Sequence, residues 1–124
     1  RVPTSSDVKD YGFYSKYSHK TEVAKPGYYS VSLERYNIQV ELTATEHVGV
    51  HRYNFVDNKE KVILFDISHT LEEGGCGNAS IFIDQSKQEV SGWVRNMGSL
   101  SGRFGGYNSY FVAQFKTGIF SSSG

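Results

Sequence analysis

Ile38-Gln39-Val40-Glu41-Leu42-Thr43-Ala44-Thr45 is the stretch that decides the fold class. Its apolar side chains occupy every second position, with polar ones between them. A period of two, in residues that favour extended backbone, describes a strand buried on one face. A helix would send Ile38 and Val40 to widely separated faces. Immediately upstream, Tyr28 to Glu34 alternates in the same way, with Tyr29, Val31 and Leu33 in phase. The short link Arg35-Tyr36-Asn37 then predicts a hairpin. Downstream, the apolar phase holds even positions through Val48 and Val50, then shifts to Tyr53 and Phe55. A change of phase reverses the buried face, so a bulge is expected near His51-Arg52. Glu46, on the apolar phase, marks a second weak point and a turn between Thr45 and His47.

Further out, Pro26-Gly27 punctuates the chain, and Ser18 to Lys25 reads as a loop. Before it, Tyr11, Phe13, Tyr14 and Tyr17 form an aromatic arm, and residues 1–10 a polar lead-in. On the other side, Asp57 to Glu60 reads as a turn and Lys61 to Ser68 as a central strand covered on both faces. Leu71 to Asn78 reads as a glycine loop, and Ala79–Asp84 with Gln88–Asn96 as a second hairpin. Gly98 to Asn108 is the most flexible segment by composition, and Tyr110 to Phe115 a last strand. Short strands, short connections and no helical periodicity predict an all-β fold, a two-layer antiparallel β-sandwich. Residues 1–124 are expected to form one domain, with a disordered tail over 119–124.

Composition agrees. Nine Tyr and eight Phe accompany one Trp, and thirteen Gly accompany two Pro, in a chain of 124 residues. Tyrosine suits half-buried sheet surfaces, where the ring packs and the hydroxyl stays wet. Thirteen basic and thirteen acidic side chains cancel, and no Lys/Arg cluster stands out, which argues against nucleic acid as a partner. No apolar run approaches the ~20 residues that cross a bilayer as a helix. The chain opens at Arg1, so a processed form or a piece of a longer protein is expected. Cys76 is the single cysteine and has no intrachain partner for a disulfide. Asn78-Ala79-Ser80 fits the N-glycosylation pattern.

Catalytic constellations are weak. His47 and His51 lie four apart, which on a strand separates them by ~13 Å, too far to share a metal ion. Glu72 and Glu73 are adjacent in a glycine loop, whereas glycosidases need carboxyls facing each other at roughly 5–9 Å. Glu41, Glu46 and Asp66 are carboxylates on strands that the fold could bring together. The glycines of GGCGN and GRFGGYN match no phosphate-loop pattern, and no nucleophile elbow occurs. Tyr11, Tyr14, Tyr17 and His19 have the character of sugar-stacking side chains, though covering the sheet is the favoured account of most of them.

Four blocks carry a resemblance: Ser18-His19 with Glu22; Pro26-Gly27-Tyr28-Tyr29-Ser30-Val31; Val40-Glu41-Leu42-Thr43-Ala44-Thr45; and Gly49-Val50-His51-Arg52-Tyr53. In this order they resemble the N-terminal β-sandwich domain of the family 92 glycoside hydrolases, calcium-dependent exo-acting α-mannosidases. KVILFDISH, SGWVRN and YFVAQF extend the likeness more loosely. The resemblance implies a β-sandwich of the supersandwich type, packed on a helical catalytic domain of the same polypeptide. It implies that the catalytic acid, the base and the calcium ligands belong to that other domain. No catalytic residue, no metal ligand and no cofactor is therefore expected in this chain. His19 and Glu22 are the candidate substrate-binding residues, mannose-rich glycans the expected ligands, and a secreted, periplasmic or cell-surface location is expected. By itself the chain is expected to be inactive. A free-standing carbohydrate-binding sandwich using the tyrosine arm is the competing expectation.

Overall fold

A computed structural model describes residues 14–56, 61–69, 75–98 and 102–116. The lead-in, Tyr11, Phe13, the Asp57–Glu60 turn, the Glu72-Glu73 pair and the tail fall outside the described residues. The chain is all-β, with two antiparallel sheets and a single 3₁₀ turn among its principal described elements. No helix among the described residues is long and apolar enough to cross a membrane. The chain divides into two compact units, Arg1–Leu64 and Phe65–Gly124, each holding one sheet.

The first unit is a meander of β1 (Val23–Lys25), β2 (Tyr28–Leu33), β3 (Ile38–Ala44) and β4 (Gly49–Phe55). Gly27, at φ +75°, supplies the left-handed corner that a Pro-Gly turn needs between β1 and β2. Val31 pairs with Val40 and Val40 with Tyr53, so the apolar phases of three strands share one face. Val31 and Val40, on the two inner strands, are the buried residues of this sheet, at 8% and 7% exposure. The opposite face is polar, and there Glu41 accepts hydrogen bonds from Tyr28 Oη (2.9 Å) and Arg52 Nη1 (3.1 Å).

The expected bulge at His51-Arg52 does not occur: Leu42 pairs with His51 and Glu41 with Arg52 in unbroken register. The phase change lies in the Thr45–Val48 turn, closed by Thr45 N–H to Val48 O at 2.8 Å. Because Ala44 pairs with Gly49, even positions of β3 face odd positions of β4, and the apolar phase changes parity with no bulge. Val50 is thereby on the polar face opposite Thr43. Asn37, which ends the β2–β3 turn, has φ +50°, a region that asparagine tolerates and most residues do not. Asn37→Ala should cost about 1 kcal/mol, and Asn37→Gly close to nothing, in urea denaturation. Equal stability of all three would remove the turn from the determinants of the hairpin.

The second unit is β5 (Cys76–Asp84), β6 (Glu89–Asn96) and β7 (Tyr107–Gln114) in sequential antiparallel order. The expected second hairpin is present, with Asp84 Oδ1 accepting from Ser86 N, Ser86 Oγ and Lys87 N to hold its turn. Two expectations are corrected. Cys76 to Asn78 belong to β5 and not to a loop, and their irregularity appears as a register shift between Cys76 and Ala79. Lys61 to Ser68 is not a strand, although it is the most apolar run. Phe65 is held through its ring, stacked on Phe111 at 6.2 Å and edge-on to Phe115 at 6.1 Å. Nor is the run covered on both faces, since Ile63 is 45% and Leu64 44% exposed; a ladder depends on a neighbouring strand of suitable register, which apolar content does not supply.

Candidate functional site

The segment read as a loop before Pro26 is more ordered than expected. Ser18 caps a 3₁₀ turn, His19–Thr21, its hydroxyl accepting from Lys20 N–H at 3.3 Å. Thr21 bonds back to Ser18 O through both its N–H and its hydroxyl, each at 2.9 Å. Three residues per turn bring positions i and i+3 into register along such a turn. His19 and Glu22 have that spacing, and the structure joins them: His19 Nδ1 lies 2.5 Å from Glu22 Oε2.

Glu22 then enters β1 in extended conformation (φ −91°, ψ 131°). Ala24 pairs with Tyr29, and Glu22, two residues earlier, is a diagonal neighbour of that ring. Tyr29 Oη donates to Glu22 Oε1 at 2.7 Å. Both carboxylate oxygens are thus engaged, one by the turn and one by β2. Tyr17 sets its ring edge-on to His19, with centroids 5.5 Å apart. The outcome is a half-buried carboxylate beneath an exposed imidazole, their side chains 23% and 84% exposed.

The hydrogen bond from Tyr29, reinforced by that with His19, holds the Glu22 carboxyl below the usual carboxylate range. An ionised Glu22 is a pure acceptor, so His19 Nδ1 carries the shared proton and Nε2 is left for an outside partner. The Tyr29 hydroxyl is pushed above its ordinary value for the reciprocal reason, its bond to Glu22. Since Glu22 has its folded-state pKa depressed, the stability it contributes is present above the ordinary carboxylate range and is lost as pH falls through the lowered value. Tyr29→Phe removes the leading cause, and the Glu22 carboxyl should then titrate at higher pH in side-chain ¹³C NMR. An unmoved titration would show that Tyr29 does not govern this carboxylate.

Other sequence candidates separate. His51 lies on β4 with Nδ1 2.8 Å from Tyr53 Oη, while His47 is in the preceding turn. Glu41 is occupied by Tyr28 and Arg52, whose hydrogen bonds lower its pKa. Asp66 accepts from Ser68 N–H and hydroxyl, both at 3.3 Å. Tyr14 of the aromatic arm lies under the Arg35 guanidinium at 5.6 Å, which ties the arm to the β2–β3 turn. The hydroxyl of Tyr29 was missed by sequence reading, which assigned that residue to the apolar face alone. Among the described residues, no three His, Cys, Asp or Glu side chains converge as a metal site would require. The calcium implied by the resemblance has no ligand set on them, and no chemistry is assigned to it.

Compared with protein families, residues 2–124 match the glycosyl hydrolase family 92 N-terminal domain. The chain belongs to that family. It is thus N-terminal-domain sequence of a glycoside hydrolase, and its His19–Glu22–Tyr29 cluster lies at the start of the first described sheet. No curated protein and no solved structure matches it.

Proposed function

We propose that the chain is the non-catalytic β part of an exo-acting α-mannosidase that trims mannose-rich glycans outside the cytoplasm. It packs against the catalytic domain of the same polypeptide and lends His19 and Glu22 to the rim of the active site. The observation that supports this most directly is the joined His19–Glu22–Tyr29 cluster in a family 92 domain. A fixed carboxylate orients the imidazole, whose Nε2 accepts a hydrogen bond from a sugar hydroxyl. Bond cleavage itself belongs to the catalytic domain, because this cluster offers one carboxylate where glycoside hydrolysis takes two.

The test is a comparison of 4-nitrophenyl α-mannoside, α-glucoside and α-galactoside as substrates of the full-length enzyme. Hydrolysis confined to the mannoside, with the 124-residue chain inactive, is expected. Preference for another sugar, or turnover by the chain alone, would overturn the proposal.

A further inference from the structure

Asn78 is the only asparagine of the chain with a serine or threonine two residues on, and Ala79, not proline, stands between. The fold gives Asn78-Ala79-Ser80 a particular place. It lies in β5, an outer strand of its sheet: β6 pairs with one side, and no described strand pairs with the other. Cys76 pairs with Asn96 and Ala79 with Val94, so Gly77 and Asn78 together stand opposite Arg95. Two residues against one make a β-bulge, which leaves one of them out of the ladder. Gly77 is the member held close to its neighbours, where a Cβ would come 3.3 Å from Met97 Cγ and 3.6 Å from Arg95 Cβ. Asn78, Ala79 and Ser80 are all exposed.

Other asparagines of this sheet are spent on the fold. Asn96 Nδ2 donates to Ser109 Oγ at 2.8 Å, and Asn108 Oδ1 accepts from Arg95 Nη1 at 3.2 Å. By contrast, the side chains of Asn78 and Ser80 make no hydrogen bond among the described residues. Transfer of a glycan to asparagine needs a reachable amide with no internal bond to break and a hydroxyl two residues on for the transferase to read. Both are properties of β5 itself, whatever lies beyond its sheet.

We propose that Asn78 is an N-glycosylation site. Its use in the native cell rests on the extracytoplasmic location proposed above. The donor is a lipid-linked diphosphate oligosaccharide, and the catalyst is the oligosaccharyltransferase of a secretory pathway. Asn78 Nδ2 bonds to the anomeric carbon of the reducing-end N-acetylhexosamine and gives up one proton. The bond from that carbon to the diphosphate oxygen breaks, and the lipid diphosphate leaves with the electron pair. An N-linked glycan is bulky and hydrophilic. On an outer strand it keeps a further strand from adding to the free ladder edge, which the bulge already interrupts. It also assigns this edge to solvent and not to the contact with the catalytic domain.

The test uses the full-length enzyme, exported from cultured eukaryotic cells under an added secretion signal. Peptide-N-glycosidase in H₂¹⁸O converts each glycosylated asparagine to labelled aspartate, which mass spectrometry locates. Label at Asn78 is expected in most molecules, absent from Asn78→Gln and Ser80→Ala and kept in Ser80→Thr. Ser80→Ala leaves the asparagine in place, so the comparison does not hang on the folding of Asn78→Gln. Secreted enzyme unlabelled at Asn78 overturns the proposal, and so does label there that survives Ser80→Ala. Because the added signal supplies the route, this failure is distinct from failure of the location, which is read from where the native activity fractionates.

Discussion

Gly92→Ala is expected to destabilise the β5–β6–β7 sheet by about 2–3 kcal/mol, the upper part of the range for overpacking a formed core. Gly92 lies on the central strand, paired with Ile81 on one side and Phe111 on the other. A methyl group there would lie 2.4 Å from Ser80 O and 2.8 Å from Phe111 Cε1. The first contact is with backbone of the neighbouring strand, which cannot yield without disturbing the ladder. The second is with a ring already stacked on Phe65. Neither neighbour can yield cheaply, so the substitution should lower the urea midpoint and expose the amides of β5 and β7 to faster exchange. Ser91→Ala, next along the strand and on the opposite face, should stay within about 0.5 kcal/mol of the parent. A Gly92→Ala protein as stable as Ser91→Ala would mean that β5 and β6 are not locked as described.

Strand pairing in the other sheet shows what sequence can specify. Alternation in Ile38–Ala44 and Tyr28–Leu33 located two strands and their shared face, because a period of two is a local property of the chain. The parity change after Ala44 was equally legible as a change, but it has two physical solutions, a bulge or an even turn. Only the pairing of Ala44 with Gly49 decides between them, and pairing is not local. Lys61–Ser68 failed for a related reason, since apolar content leaves the backbone partner open, and without one Ile63 and Leu64 stay exposed. Cys76–Asn78 was hidden by its glycine, which marks loops and irregular strands alike. At the candidate site, His19 and Glu22 were named through resemblance. Their contact follows from a 3₁₀ turn too short to show a period, and the role of the Tyr29 hydroxyl follows from a β1–β2 pairing that only the fold reveals.

Under the proposed function, Glu22→Gln in the full-length hydrolase is expected to lower kcat/KM on an aryl α-mannoside by about ten- to hundredfold, the scale on which a misplaced contact is felt. The carboxylate accepts at both oxygens, from Tyr29 Oη at 2.7 Å and from His19 Nδ1 at 2.5 Å. An amide keeps the shape but has one oxygen, so either Tyr29 or His19 meets an N–H₂ group. If His19 meets it, Nδ1 becomes the acceptor and Nε2 the donor, which inverts what the ring offers a sugar hydroxyl. A rim contact made equally to bound substrate and transition state would appear in KM, with kcat nearly unchanged. His19→Ala should cost about as much, and the double variant little more, since both act through one imidazole. The pH profile separates positioning from simple structural support. In the parent enzyme the carboxylate keeps its charge below the usual carboxylate range, because Tyr29 and His19 lower its pKa. Tyr29→Phe should therefore move the acid limb of kcat/KM to higher pH, where a purely structural role would lower activity without moving that limb. A Glu22→Gln enzyme within twofold of the parent, with the same pH profile, would remove the cluster from the active-site rim and leave it a device for starting the first strand.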